Sequence, residues 1–353
     1  MEEPRAMATL IGSLPHTSPE RAMSLILQAV PEAPIWPQLP KRHWREGFLP
    51  QYAEGLPGLV EHPKDGKVSI NRENGDFVRA MTAFYEAQIK AKEGGVTDHF
   101  KISPEHASGI AVSRTALSKL KKKPPFVKIH TTGPISFGLT VFDEKGMPLL
   151  YDQAYADIVL QNAVMKSLWQ LDQFEPYGDR IICFFDEPIL SAFGSSTYIN
   201  LTREMVVPML SEAVQALKGE GALVGVHVCG NSEWTLLLDA EVDIISFDAY
   251  NYGESLALYP ERVSRHLERG GALAWGIVPT SPDIHEQSAE SLEKRLTHFV
   301  DHLGRQGMDT SLIWRQSMLT PSCGMGTMSV EEAELVMETL HALARRIQDR
   351  FPP

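Results

Sequence analysis

A histidine and two cysteines of this sequence have the types and spacing of a zinc site. His227 and Cys229 lie two positions apart in an apolar run, so on a strand their side chains point to the same face. Asp248 ends the next apolar run, and Cys323 follows a later one. Two thiols, an imidazole and a carboxylate suit Zn²⁺. Because the ligands do not come from paired Cys-x₂-Cys loops, the pattern indicates an active-site metal.

Other interpretations of such residues remain open. A cysteine on a core strand is often a small buried hydrophobe, and we expect this for Cys183. The His-x-Cys motif alone fits that interpretation equally well, and it is Cys323 that favours a metal. Asp186 and Glu187 end another buried strand, where two carboxylates need cations or hydrogen-bond donors, or form an ion pair at the rim. His130 alone is interpreted as a satisfied rim histidine.

These residues are far apart in the sequence, so they can form one site only if the fold brings the ends of several strands together. The sequence predicts such a fold. Eight short runs, rich in β-branched and aromatic residues, are mostly apolar on both faces, as in a buried parallel sheet. They are Ala8–Ser13, Ile35–Gln38, Phe126–Thr132, Arg180–Pro188, Leu223–Gly230, Asp243–Ala249, Ala272–Val278 and Ser311–Leu319. Amphipathic patterns over residues 206–217 and 292–303 predict helices between the later runs. We therefore expect an α/β fold, a (β/α)₈ TIM barrel, with the working residues at the carboxyl ends of its strands.

The stretch Leu39–Pro125 is longer than an ordinary crossover between two strands. We expect it to form an extended insertion between strands 2 and 3. Within it, Phe77–Lys92 and Val112–Lys121 are predicted helices, and Pro50–Asn74 is predicted to belong to an irregular lid or flap.

Composition narrows the class of protein. The 353 residues are 43% hydrophobic, and we expect a single TIM-barrel catalytic domain over 1–353 with its core at about residues 8–345. The formal charge of −12, with one short basic run at Lys119–Lys123, argues against nucleic acid and anionic membranes as partners. No apolar run is long enough to span a bilayer, and three cysteines are too few for a disulfide scaffold. A cytoplasmic enzyme is expected.

The order of five short motifs resembles the catalytic C-terminal barrel of cobalamin-independent methionine synthase. The motifs are Ile11-Gly12-Ser13-Leu14-Pro15, Thr132-Gly133-Pro134, Asp186-Glu187-Pro188, His227-x-Cys229 and Pro321-Ser322-Cys323-Gly324. That barrel shares a superfamily with uroporphyrinogen decarboxylase and the methylcobamide:coenzyme M methyltransferases. The resemblance covers about residues 8–345 and implies zinc ligands at His227, Cys229, Asp248 and Cys323.

The resemblance also implies a function, the zinc-dependent methylation of a small homocysteine-like thiol to give methionine. The family's Ile-Gly-Ser turn holds the substrate carboxylate, which implies substrate binding by Ile11, Gly12 and Ser13. Its Asp-Glu-Pro motif contacts the substrate ammonium, which implies a substrate-binding and catalytic role for Asp186 and Glu187. Zinc would deprotonate a thiol whose pKa is otherwise about 8.5. Two thiolates and a carboxylate would make the site anionic, so that a bound thiolate stays nucleophilic.

Three departures from the family pattern bear on the mechanism. Asp248 stands where the family usually has Glu, and the shorter side chain can withdraw its carboxylate from the metal. Thr280 stands in place of a histidine implicated in catalysis, with His285 as a candidate substitute. The family's second barrel, which helps to hold methyl-folate, is missing from this sequence. A methylated corrinoid on a partner protein is therefore the expected methyl donor, with methyl-folate as the alternative.

Two other functions fit parts of the pattern. A decarboxylase of the uroporphyrinogen type needs no metal but several arginines near the N terminus, and Arg5, Arg42 and Arg45 lie there without an evident cluster. The other is a non-catalytic barrel that binds zinc and a thiol, as a sensor or store. This function remains possible because Thr280 replaces the family's catalytic histidine. Metal content and turnover would distinguish the three.

Overall fold

The computed structural model describes residues 3–94 and 98–350. Its strands are β1 (Met7–Ala8), β2 (Leu59–His62), β3 (Lys67–Ile70), β4 (Phe126–Thr132), β5 (Arg180–Asp186), β6 (Leu223–Val228), β7 (Ile244–Phe247), β8 (Ala272–Val278) and β9 (Ser317–Pro321). Its α-helices are α1 (Pro19–Ala29), α2 (Pro50–Ala53), α3 (Phe77–Gly94), α4 (Ser108–Leu117), α5 (Pro134–Thr140), α6 (Gln153–Phe174), α7 (Arg203–Gly219), α8 (Thr235–Asp239), α9 (Ala249–Tyr252), α10 (Pro260–Glu268), α11 (Ala289–Arg305), α12 (Thr310–Arg315) and α13 (Val330–Arg350). The predicted unit 1–353 extends beyond the described ranges at both ends, and residues 95–97 also lie outside them.

Seven of the described strands form one parallel sheet in the order β1-β9-β8-β7-β6-β5-β4. Residues 35–38 approach both edges of this sheet. Ile35 bridges Lys128 of β4, and Gln38 bridges Ser13, which follows β1. The Leu14 amide donates to the Gln38 carbonyl at 2.9 Å, so the contact is a backbone hydrogen bond. The sheet therefore curls back on itself around this segment, and the predicted α/β class with a barrel-like parallel sheet is confirmed.

The inner face of the curled sheet changes from apolar to polar along the strands. Its amino end is filled by a cluster of buried apolar residues that includes Phe126. Lys128 and His130 lie two and four residues further along β4, so they share the inner face with Phe126. Asp186 and His227 lie beside each other at the ends of β5 and β6. The polar layer of the interior thus lies at the carboxyl end of the sheet.

Helices cover the outer face of the sheet. The predicted helix over 206–217 lies within α7, whose inward side chains Val206, Leu210 and Val214 are buried. The one predicted over 292–303 lies within α11, where the Ser288 hydroxyl caps the helix by accepting from the Ser291 amide at 3.1 Å. Among the described helices, none combines the length and the apolar character that crossing a bilayer requires.

Several predicted strands have different bounds in the structure. The first half of the predicted strand Ser311–Leu319 is wrong, because Thr310–Arg315 is helical and the strand runs over Ser317–Pro321. Asp309 begins this helix, since its carboxylate accepts from the Ser311 and Leu312 amides at 2.8 and 3.2 Å. The predicted strand Ala8–Ser13 shortens to β1 and one bridge, and Ile35–Gln38 contributes bridges only.

The stretch between residues 38 and 126 is more ordered than predicted. The region Pro50–Asn74, predicted as part of an irregular flap, contains α2 and an antiparallel hairpin in which Leu59 of β2 faces Ile70 of β3. This region is packed, because Val68 and Ile70 are buried. The helix predicted over Phe77–Lys92 is confirmed as α3. The helix predicted over Val112–Lys121 is shifted, since α4 begins at Ser108 and ends at Leu117.

Candidate metal centre

A cavity of about 630 Å³ opens at the carboxyl end of the sheet. Six residues predicted from the sequence as site residues line it: Ile11, Ser13, Asp186, His227, Cys229 and Cys323. They come from the segment after β1, from β5 and β6, and from the loop that follows β9. The curled sheet therefore brings together side chains from four parts of the chain, as the parallel-barrel hypothesis requires.

The ligand atoms of His227, Cys229 and Cys323 all lie within 4.8 Å of one another. His227 and Cys229 are separated by one residue at the end of β6, and Cys323 enters from the loop after β9. One imidazole and two thiols make a donor set that suits zinc. With three protein ligands, such a set leaves a coordination position for a substrate, as catalytic zinc sites do.

One ring nitrogen of His227 is free to bind a metal, and the other interacts with a neighbouring side chain. Its Nδ1 lies 3.0 Å from the Ser246 hydroxyl, which fixes the ring orientation. Its Nε2 is buried and has no hydrogen-bond partner among the described residues. Burial, helped by the charge of Lys128, lowers the pKa of His227 to about 3, so the imidazole is neutral at pH 7. A buried neutral nitrogen without a partner fits a metal ligand.

The two thiols of the site interact with each other. A hydrogen bond from Cys323 lowers the pKa of Cys229, and the same contact, with burial, raises the pKa of Cys323. The metal-free pair therefore holds one proton between its sulfur atoms more readily than two negative charges. Cys183, predicted as a core residue, is fully buried within β5, and burial raises its thiol pKa to about 12.

Asp248, predicted as the fourth ligand, is not part of this group. Its Oδ1 accepts from the Asn251 amide at 3.0 Å and its Oδ2 from the Asn251 side-chain amide at 2.8 Å. Both oxygens are therefore engaged at the start of α9, for which Asp248 is the capping residue. Three of the four predicted ligands therefore lie together, and metal binding by Asp248 stays a prediction.

Asp186 and Glu187 are adjacent in sequence but have different surroundings. Asp186 lines the cavity, its Oδ1 has no partner among the described residues, and burial raises its pKa to about 7. Glu187 is fully buried and accepts from the amides of Ile135 and Ser136 at 2.9 and 2.7 Å. Burial also raises the pKa of Glu187 to about 7, against the effect of these donors. Asp186 is thus available to a ligand, whereas Glu187 binds the first turn of α5.

The Ile11-Gly12-Ser13 turn lies against the loop that carries Cys323. The Ser13 carbonyl accepts from the Met325 amide at 2.9 Å, and the Ser13 hydroxyl accepts from the Gly326 amide at 3.2 Å. The amides of Gly12 and Ser13 have no acceptor among the described residues. Ile11 and Ser13 of this turn line the cavity, and unpaired backbone amides of such a turn can bind a carboxylate.

The residues considered as substitutes for the family's catalytic histidine do not contact the metal group. The Thr280 hydroxyl and amide both lie 3.0 Å from the Ser322 hydroxyl. His285 is 59% exposed at its side chain and lies 3.5 Å from Glu332. The hypothesis that His285 replaces the histidine gains no support from this placement.

Two buried side chains of β4 were not identified as site residues from the sequence. Lys128 is fully buried and donates to the Ile11 carbonyl at 2.5 Å. His130 stacks on Trp36 with 4.1 Å between ring centroids, and neither ring nitrogen has a partner among the described residues. The described residues therefore give no support to the prediction that His130 is a satisfied rim histidine. The signal was available, since Lys and His alternate in an otherwise apolar strand.

Comparisons with known proteins add little. No protein-family model matches the chain, and no curated protein matches it. Among solved structures, a GH5-4 broad specificity endoglucanase from Clostridium longisporum is similar, with a TM-score of 0.37 and 10% sequence identity. The alignment covers 71% of this chain and 79% of that one. A likeness at this level carries no information about function.

Proposed function

We propose that this protein is a zinc-dependent methyltransferase that binds a small thiol of the homocysteine type and methylates its sulfur. With homocysteine the product would be methionine. The observation that carries the proposal is the group of His227, Cys229 and Cys323 at the cavity, together with the His227 Nε2, which has no hydrogen-bond partner among the described residues. These three residues would hold the zinc ion.

A site with only these three ligands changes the charge argument. Two thiolates and a neutral imidazole balance the +2 charge of zinc, so the ion together with its three protein ligands would be neutral rather than anionic. Bound zinc would supply a lowered thiol pKa and a site for the substrate sulfur as its anion. Sulfur-rich ligation reduces the Lewis acidity of the ion, which leaves a coordinated sulfur nucleophilic. Three protein ligands suffice for this chemistry, and Asp248 is not needed.

The other cavity residues suit an amino-acid substrate. Asp186 offers a carboxylate oxygen without a partner, which would accept from the substrate ammonium. The free amides of Gly12 and Ser13 would donate to the substrate carboxylate. Held at both ends, the substrate would present its sulfur to the metal group, and this orientation lowers the entropic part of the barrier. Coenzyme M carries a sulfonate and no ammonium, so Asp186 would disfavour it.

The methyl group would come from a donor in the open mouth of the cavity. The substrate sulfur forms the new bond to the methyl carbon while the bond from that carbon to the donor breaks. We favour a methylated corrinoid on a partner protein, with methyl-folate as the alternative. Exposed apolar side chains on the segments between β4 and α6, β5 and α7, and β7 and α10, namely Phe142, Ile199 and Leu258, would offer contacts for a partner. The proposal takes the chain for a single (β/α)₈ barrel whose insertion lies between its second and third barrel strands, between residues 38 and 126.

Metal analysis followed by a thiol panel tests the proposal. Purified protein is expected to contain about one zinc per chain and to methylate homocysteine faster than coenzyme M, with methylcobalamin or methyl-folate as donor. Product is measured by mass spectrometry. Zinc-free protein that binds no added zinc, or zinc protein that methylates no thiol in the panel, would contradict it.

A non-catalytic zinc and thiol-binding barrel is the second candidate, favoured by the Thr280 hydroxyl that lies against Ser322. Tight homocysteine binding without turnover would support it.

The decarboxylase hypothesis has less support. Arg5, Arg42 and Arg45 each form an ion pair with a glutamate, and none lies among the residues that line the cavity.

A further inference from the structure

Lys128 is a cation buried inside the curled sheet. Its side chain is fully buried, and its ammonium lies 4.4 Å from the centroid of the Phe184 ring. Its hydrogen bond goes to the Ile11 carbonyl, at 2.5 Å. Burying an ammonium group is costly, so a lysine at this depth needs compensating contacts. A backbone carbonyl and an aromatic face supply part of them.

The carbonyl that Lys128 binds belongs to the turn that supports Cys323. Ser13, two residues beyond Ile11, accepts hydrogen bonds from the amides of Met325 and Gly326. A Cβ added at Gly324 would lie 2.3 Å from the Ser13 hydroxyl, so the two segments are in close contact. A continuous chain of contacts therefore runs from Lys128 through residues 11–13 to the loop that carries Cys323.

We propose that Lys128 is a positioning residue for the metal centre, which holds the Ile11 carbonyl and thereby sets the place of the Cys323 loop relative to β6. This inference rests on the proposed function only in taking Cys323 as a metal ligand. A purely structural role, in which Lys128 fills space in the interior, would make it important for stability but not for the relative placement of the two thiols. The two roles predict different results for zinc affinity and thiol reactivity.

The chain offers a matched control in Lys166, a second fully buried lysine, on α6. Its ammonium lies 3.5 Å from the Lys101 carbonyl, and Lys166 is not among the residues that line the metal cavity. Lys128→Met and Lys166→Met remove the same charge from buried positions. General effects of losing a buried lysine appear in both variants. Only Lys128 also places its charge near His227, and losing a positive charge there would by itself favour a bound cation. Weaker zinc binding in Lys128→Met alone would therefore report the position of the Cys323 loop.

Two measurements on the full chain test the inference. In competition with a chromophoric chelator, Lys128→Met is expected to bind zinc about 10- to 100-fold more weakly, and Lys166→Met within about twofold of the unmodified protein. In metal-free protein, a chromogenic disulfide reagent is expected to label Cys229 and Cys323 at least about fivefold faster in Lys128→Met only. Labelling needs no metal and no methyl transfer, so it tests the inference even if the proposed function fails.

Further variants separate positioning from folding. Lys128→Arg keeps the charge and the donors and is expected to restore zinc affinity to within about threefold, whatever its melting temperature. Lys128→Gln, a smaller change in case the Met variant does not fold, is expected to shift both measurements in the same direction. Adding Ser13→Ala to Lys128→Met is expected to weaken zinc binding by less than about twofold more, because both act through one turn. Unchanged labelling and zinc affinity in both Lys128→Met and Lys128→Gln would overturn the inference.

Discussion

The ligand atoms of Cys229 and Cys323 lie within 4.8 Å of each other, although two strands separate β6 from β9 in the sheet. In a flat sheet, two intervening strands would hold the ends of β6 and β9 more than 10 Å apart. Curling of the sheet shortens this distance, as does the loop after β9, which turns inward to the Ser13 turn. The His-Cys-Cys group is thus a consequence of the curled sheet and not of a local sequence motif.

Loss of Cys323 is expected to remove the metal without unfolding the chain. Cys323→Ser should weaken zinc binding by more than about 100-fold and abolish thiol methylation, because it removes one of three ligands. Cys183→Ala is the control, since Cys183 is buried in β5 away from the cavity lining. It is expected to cost about 1 kcal/mol of stability and to keep its zinc. Zinc content and melting temperature are measured for both, and full zinc retention by Cys323→Ser would refute the assignment.

Asp248 is expected to cap a helix and not to bind the metal. Asp248→Asn should keep zinc affinity within about threefold, because Asn caps helices as well as Asp and its oxygen still accepts from the Asn251 amide. Asp248→Ala should cost about 1 kcal/mol of unfolding free energy through loss of the cap, again with zinc retained. Chelator competition and denaturant unfolding measure the two effects. A loss of zinc from Asp248→Asn as large as that from Cys323→Ser would restore Asp248 to the ligand set.

The sequence allowed us to predict that His227, Cys229 and Cys323 lie together, because the periodicity of strands determines which side chains share a face. His227 and Cys229 follow from a spacing of two on a buried strand, and Cys323 from its place after the last strand. Asp248 ended a strand equally well, yet its carboxylate turned to the Asn251 amide. Competition between a metal and a nearby backbone donor is a local geometric matter that spacing does not reveal.

Sequence patterns did not allow prediction of the helix at residues 311–315 or of the burial of Lys128, for similar reasons. Residues 311–315 read as a strand because Ile313 and Trp314 favour strands, but Asp309 caps a helix there and overrides that preference. The sequence does not indicate that Lys128 is buried, because a lysine is usually exposed to solvent. Its burial depends on the Ile11 carbonyl, which tertiary folding brings to it.

Asp186 and Glu187 are expected to fail in different ways when their charges are removed. Asp186→Asn should raise the KM for homocysteine by about 10- to 100-fold with little change in melting temperature, because its free oxygen serves the substrate ammonium. Glu187→Gln should lower stability by about 1–3 kcal/mol, since one of the two α5 amides would face an NH₂ group. Steady-state kinetics and thermal unfolding are measured on both. The assignment of roles fails if Asp186→Asn loses stability and leaves KM unchanged.

His266 of α10 provides a prediction for pH that does not involve the metal. Its ring is buried, Nε2 lies 3.2 Å from the Ala272 carbonyl, and a Cβ at Gly271 would lie 2.4 Å from it. Burial lowers the pKa of His266 to about 4, against the effects of that carbonyl and of Asp243 and with the help of Arg269 and Lys218. The unfolded chain takes up a proton near pH 6.5, whereas the folded protein resists it until about pH 4.

The contribution of His266 to the unfolding free energy is therefore fully present above pH 6.5. As the pH falls towards about 4, this contribution is lost, and the unfolding free energy decreases by up to about 3 kcal/mol. In His266→Gln, the unfolding free energy should fall less steeply as the pH decreases over this window, whatever its value at pH 7. The reason is that the unfolded variant no longer takes up a proton at residue 266. Urea unfolding at half-unit steps of pH compares His266→Gln with the unmodified protein. Equal slopes for the unmodified protein and His266→Gln would mean that water reaches the ring and that its pKa is not depressed by burial.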